Sequence, residues 1–333
     1  MTVAVRTVTD DEADIRLDRW FRRHFSLTQS VIEKLCRTGQ VRVDGRRAEP
    51  ATRLVAGQSV RIPPLRDRPA EPAPAPAPDP AVLRELEAMV LWRDEWLIVL
   101  NKPPGLPTQG GPGIARHLDG MLRAWREDGE RPRLVHRLDR DTSGVIVLAR
   151  TPGVAARLAA AFRGREVEKL YWAVVAARPV PQAGRIDLPL ARSADFRGPR
   201  VEVAGPDAED GARALTEYRT LDYAGRRLAW LELRPLTGRT HQLRVHCAAI
   251  GAPILGDAAY GARRGPADPD RAGENTALIQ GLDQRLHLHA RRLVMPHPAG
   301  GRLAVEAPLP PHMQASFRTL GFAAPPPRPP LCE

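Results

Sequence analysis

Fifteen residues from Arg66 to Pro80, RDRPAEPAPAPAPDP, divide the chain before anything else is read. Proline has no amide hydrogen and fixes its own φ, so a Pro-Ala alternation of this kind cannot enter a sheet or a helix interior. It forms an extended, semi-rigid spacer. The sequence on either side must therefore build separate cores, and 333 residues leave room for two. The expected boundaries are a small module at 13–65, the linker at 66–80 and a large domain at 81–322. A tail at 323–333, rich in proline, is expected to be disordered.

The small module is basic. Between residues 13 and 63 there are eleven Lys and Arg against five Asp and Glu, so over half of the chain's formal charge of +11 lies in a small part of its length. Such asymmetry points to a polyanionic partner, with nucleic acid ahead of a membrane surface. The longest apolar runs fall far short of the ~20 residues needed to span a bilayer. The N-terminal stretch MTVAVRTVTDDEADI lacks a signal-peptide core, so the cytoplasm is the expected location. Ile15, Leu17, Trp20 and Phe21 suit the buried face of one helix, and Val31, Ile32 and Leu35 that of a second. Alternation at Gln40–Gly45 and Ser59–Ile62 predicts short strands.

Strands dominate beyond the linker. They are expected at 88–93, 96–100, 167–175, 213–220, 228–234, 286–294 and 302–305, with helices around Val154, Leu158 and Phe162 and near 311–320. Short turns such as Ala224-Gly225 predict antiparallel neighbours. The fold class is α+β. Three cysteines without metal-ligand spacing exclude a disulfide framework. His241 and His246 fall on different helix faces with no cysteine pair, so neither a metal site nor a metal cofactor is expected.

Chemistry concentrates in LVHRLDRDTSGVIVLAR, residues 134–150. Arg137, Asp139, Arg140, Asp141, Arg150 and His136 crowd a Thr142-Ser143-Gly144 turn that enters an apolar strand. A cation beside Asp139 would favour its ionised form, leaving a nucleophile or a base. His241 and Arg244, three apart on a predicted helix, share a face and can meet one site.

HRLDRDTSG resembles the HRLDxxTSG motif of the RluA-type pseudouridine synthases. Other segments resemble the same family in the same order: NKPPGLPTQGG at 101–111, EKLYWAVV at 168–175, LTGRTHQLRVH at 236–246 and LHLHARRL at 286–293. The resemblance implies a mixed, mainly antiparallel catalytic sheet, no organic cofactor, and Asp139 as the catalytic residue. It implies further that Arg244 pairs with Asp139, that Tyr171 lies against the target base, and that Arg137 fills the gap left by a flipped uridine. Lys102, His136, Thr142 and His241 are weaker candidates for substrate contact. The segment RLDRWFRRHFSLTQSVIEKLCRTGQVRVDGR resembles a small RNA-binding module known from a ribosomal protein, with Arg16, Arg19, Arg22, Arg23, Lys34, Arg37 and Arg42 as its phosphate contacts. The expected partner is RNA, large-subunit ribosomal RNA first, with a C-type enzyme preferred over D-type or transfer-RNA relatives, acting as a monomer. A ribosome-assembly protein without catalysis is the reading from another class.

Overall fold

The computed structural model describes residues 4–25, 27–64, 79–111, 113–125, 131–195, 198–205, 211–261 and 281–332. The chain divides into two compact units, Met1–Pro76 and Ala77–Glu333. Most of the expected linker, residues 66–78, lies outside the described residues. Its end at Pro80 is not spacer. Asp79 caps a helix Pro80–Ala88, accepting from the Ala81 amide with Pro80 in the first turn, where a missing amide costs nothing.

In the first unit, helices Leu17–His24 and Gln29–Arg37 pack Leu17, Trp20, Phe21, Ile32 and Cys36 over a four-stranded antiparallel sheet. Val31, expected in this core, is 39% exposed, because the buried stripe runs through Ile32 and Cys36, one helical turn apart. The sheet begins earlier than expected. Ala4–Thr7 pairs with Ser59–Ile62, Ala4 opposite Ile62, so the unit starts ahead of residue 13. All four residues of that strand are exposed, so it carries no apolar alternation to read. Glu12 is buried and accepts from the Trp20 Nε1–H at 2.8 Å and the Thr9 amide at 3.3 Å, with His24 Nε2 at 2.6 Å. Burial opposes its charge, but these donors prevail and hold its pKa at about 2.

The second unit is built on one large sheet. Its strands run in the order Ala183–Asp187, Leu215–Ala224, Leu228–Pro235, Glu168–Val175, Leu288–Pro296, Ser143–Ala149, Leu97–Lys102, Val90–Arg93. Pairing along this order is antiparallel except between Leu288–Pro296 and Ser143–Ala149. The two central strands are apolar on both faces. Leu97, Val99, Val145 and Val147 meet Val154 and Leu158 of the helix Pro152–Gly164 on one side, while Ile98, Leu100, Ile146 and Leu148 meet Leu86, Leu118 and Leu122 on the other. Each fully buried aliphatic side chain contributes about 1.5–3 kcal/mol, which makes this the rigid part of the unit.

Gly144 makes the parallel pairing feasible. Its φ is +111°, and a Cβ there would lie 2.2 Å from the Ala290 carbonyl oxygen. The Gly of the TSG turn is thus required by backbone approach. Beside it, Ser143 Oγ bonds His289 Nδ1 at 2.9 Å, and His289 Nε2 donates to the Ala307 carbonyl at 3.2 Å.

The tail departs from expectation. Leu331–Cys332 pairs with the strand Arg302–Glu306, and Arg328 Nε donates to Glu306 Oε1 at 2.6 Å. Proline-rich composition disfavours autonomous structure, but here a strand edge and a buried carboxylate supply the partners. No helix among the described residues is long and apolar enough to cross a membrane.

Candidate active site

The loop that precedes the strand Ser143–Ala149 carries Asp139, and three groups far away in sequence hold it. Lys102 is fully buried, and its ammonium donates to the carbonyls of Pro103, Leu106 and Arg140 at 2.9, 2.8 and 2.9 Å. Burial draws its pKa down to about 7, against the pull of Asp141 and Asp139. Thr108 Oγ1 donates to the Leu138 carbonyl at 2.6 Å and accepts from its amide at 3.2 Å. The Gly105 amide reaches the Arg140 carbonyl at 2.9 Å. NKPPGLPT is therefore a cradle for HRLDR, and the expectation that Lys102 touches substrate is corrected: its three hydrogens are all used inside the fold.

A cavity of about 580 Å³ opens beside Asp139. His136, Arg137, Asp139, Tyr171, His241 and Arg244 are among its lining residues, as is buried Thr142. His136 lines the cavity wall. Its Nε2 accepts the Val147 amide at 2.9 Å, its ring stacks on Phe162, and burial with the nearby Lys169 charge lowers its pKa to about 3. Arg137 is exposed at the cavity. Tyr171 comes from the strand Glu168–Val175, on the face it shares with Lys169. Burial and the Asp139 charge both raise its phenol above the usual value, so it keeps its proton.

His241 and Arg244 arrive on the helix Gln242–Ala249, whose Leu243 and Cys247 dock on Ala173, Val175, Leu231 and Leu233 of the sheet. Its entrance is built around Gln242. That side chain accepts from Thr237 Oγ1 at 2.7 Å and the Arg239 amide at 3.0 Å, and donates to the Leu215 carbonyl and Thr216 Oγ1. So pinned, the preceding residue His241 sits at φ +54°, a left-handed conformation that costs a non-glycine residue free energy.

The expected Arg244–Asp139 pair forms, but loosely. Arg244 Nη1 lies 3.8 Å from Asp139 Oδ2, and His241 Nε2 lies 3.9 Å from the same oxygen. Arg244's close partner is Asp257, engaged through Nε at 2.8 Å and Nη2 at 2.7 Å. Asp257 also accepts the amides of Ala259 and Tyr260 at 3.0 Å. Tyr260 completes the group, with its hydroxyl 2.8 Å from His241 Nδ1 and its ring 5.0 Å from the Arg244 guanidinium carbon. Asp257, Tyr260, Gln242 and Thr108 were not singled out in the sequence. The segment LGDAAYG shows neither clustered charge nor periodicity, and only the fold brings it to HRLD.

Of the basic residues expected to contact phosphate, Arg19, Arg22, Arg23, Lys34 and Arg37 are exposed. Arg16 and Arg42 are less exposed and have partners within the unit. Arg16 is held bidentately by Asp18 at 3.2 and 2.8 Å, and Arg42 donates to the Gly39 and Gly45 carbonyls.

A sheet of this topology with an aspartate, tyrosine, histidine and arginine around one cavity defines a class, and the chain belongs to the RNA pseudouridylate synthase family, isomerases that convert uridine to pseudouridine. The family match spans residues 96–249 and contains all four. Ribosomal large subunit pseudouridine synthase C of Vibrio cholerae is 33% identical over 93% of this chain and 94% of its own length. RNA pseudouridine synthase 4, mitochondrial, of Arabidopsis thaliana is 33% identical over 95% of this chain and 81% of its own. Among solved structures, human RNA Pseudouridylate Synthase Domain Containing 4 aligns with a TM-score of 0.60 at 31% identity, covering 74% of this chain and 97% of that one.

Proposed function

We propose that this pseudouridine synthase acts on uridines of large-subunit ribosomal RNA, with Asp139 as its catalytic residue. The observation that carries the role of Asp139 is its openness: it faces the cavity with its two nearest donors still 3.8 and 3.9 Å away. A carboxylate so placed can approach a ring or ribose carbon without first breaking a short ion pair. The relatives named for the large subunit support the choice of RNA.

The C1′–N1 bond must break, the uracil turn, and a C1′–C5 bond form, while C5 loses a proton and N1 gains one. The target bond is hidden in a stacked nucleotide, so extrusion comes first, and Arg137 fills the vacated place with a planar guanidinium. Tyr171 lies against the extruded uracil, with its phenol kept protonated by burial and the Asp139 charge. Arg244, fixed by Asp257, supplies positive charge beside Asp139. The exposed bases of the first unit, Arg19, Arg22, Arg23, Lys34 and Arg37, bind RNA phosphates. On this reading the protein acts as a monomer in the cytoplasm. Mapping pseudouridine in ribosomal RNA from cells with the wild-type protein, with Asp139→Asn, or with none tests the reading. Sites present only with the wild type are expected. Unchanged large-subunit maps would overturn the choice of RNA.

A further inference from the structure

Taking Asp139 as the reacting carboxylate, we propose that Tyr260 is a positioning residue that fixes the proton of His241 on Nε2, so that this nitrogen donates toward Asp139. The inference follows from counting hydrogens. The Val201 amide can only donate, and it reaches the Tyr260 hydroxyl oxygen at 3.3 Å. That oxygen is also 2.8 Å from His241 Nδ1. The Val201 N–H takes one acceptor site, and among the described residues the phenolic hydrogen meets no acceptor other than Nδ1, so the hydroxyl donates there and Nδ1 is bare. A neutral imidazole with a bare Nδ1 carries its hydrogen on Nε2. Nε2 is the atom nearest Asp139, 3.9 Å from Oδ2.

The surroundings favour each condition. Burial lowers the pKa of His241, as do Arg244 and Arg137, with Asp139 and Asp257 opposing, so the ring is neutral near neutral pH. Burial also raises the Tyr260 phenol, which therefore keeps the hydrogen it donates. Tyr260 is itself anchored, its amide on Asp257 Oδ1 at 3.0 Å and its ring facing the guanidinium of Arg244. The left-handed backbone of His241 fits a residue held for its side chain and not for local preference. Arg244 and His241 thus aim a charged and a neutral donor at the same oxygen, and one turn, Asp257–Tyr260, orients both.

Nitrogen-15 NMR of the full chain, with the His241 signals assigned by their loss in His241→Gln, reads the tautomer directly. A proton on Nε2 and a bare Nδ1 are expected, with Tyr260→Phe shifting the ring toward a mixture. The same variant should lower kcat about tenfold, the value of one lost hydrogen bond, with KM changed less than about twofold. Glutamine at 241 can present an N–H near the Nε2 position and has no tautomer to select. On that background Tyr260→Phe should alter kcat less than about twofold. Thermal unfolding of each variant controls for folding. A wild-type ring protonated on Nδ1, or an equal tenfold loss in the glutamine background, overturns the proposal. Activity surviving in Asp139→Asn would instead remove Asp139 from its role while leaving the tautomer result standing.

Discussion

One guanidinium, that of Arg244, serves two aspartates that are otherwise opposites. Asp257 has no exposed side-chain surface and accepts four hydrogen bonds, two from Arg244 and two from backbone amides. Asp139 is 19% exposed, and its nearest side-chain donors stand off by almost 4 Å. A saturated carboxylate has no remaining capacity for a ligand and works as a fixed charge that locks its partner. An open carboxylate is worth little to the fold and is free to react. The difference separates residues that build the site from residues that use it, and it can be broken experimentally from either side.

The largest effect should come from the open member. Asp139→Asn is expected to abolish pseudouridine formation, by at least ~10³-fold, because the amide keeps the size but loses the nucleophile. Its melting temperature should match the wild type, since no short hydrogen bond to the side chain is lost. A comparable loss of stability would show that Asp139, too, belongs to the framework.

The saturated member should behave in reverse. Asp257→Ala removes both acceptors of a buried guanidinium and leaves two amides without partners, a defect of about 3–5 kcal/mol. Denaturant unfolding of the catalytic unit should show it, together with lost activity at temperatures where the protein remains folded. Arg244→Met should produce the same instability, because it strands Asp257. If Asp257→Ala lost activity with no loss of stability, the role of Asp257 would be catalytic and not structural.

This contrast also explains what the sequence could and could not disclose. Asp139, Tyr171, His241 and Arg244 were legible because each sits in a segment dense with polar residues or resembling a family motif. Asp257 and Tyr260 act through contacts that close only when the helix Gln242–Ala249 docks on the sheet, so nothing local marks them. The helix Pro311–Leu320 falls near where the sequence predicts one. The strands Ala183–Asp187 and Leu190–Asp195 were missed: their residues alternate weakly, and the second pairs with its own neighbour Gly198–Val203 and through Leu190 with Ala212. For Lys102 the resemblance of NKPPG implies substrate contact, while the structure buries the residue. Its burial depends on three carbonyls that the fold gathers around it.

A third carboxylate extends the comparison to the first unit. Glu12 is buried and held by Trp20, Thr9 and His24, and its pKa of about 2 makes the consequence pH-dependent. The folded value lies below the ordinary 4.5, so its contribution is complete above about pH 4.5 and fades as pH falls toward 2. Hydrogen exchange at the amides of the helix Leu17–His24 should accelerate across that window. Glu12→Gln should remove the pH dependence and cost about 1–3 kcal/mol at neutral pH. An unchanged acid profile in the variant would assign the transition to other groups.

The smallest effect concerns cations, where the same division holds. Arg16 is held by Asp18, whereas Arg19, Lys34 and Arg37 are exposed on the two helices of the first unit. If exposed charges are the ones that bind phosphate, replacing Arg19, Lys34 and Arg37 together by glutamine should remove three contacts. Each contact contributes ~0.7 to 0.9 to the slope of log affinity against log salt concentration, so the slope should fall by about 2–3. Arg16→Gln should leave the slope unchanged, because that guanidinium is already paired, although it removes the Asp18 contact and can lower the stability of the unit. Turnover at saturating RNA should be unaffected in both variants, since the residues of the cavity all lie in the second unit. Filter binding of ribosomal RNA fragments over a salt series measures the slopes. A slope that fell in Arg16→Gln and held in the triple variant would reverse the assignment, showing that the paired arginine opens to meet RNA and the exposed ones do not touch it.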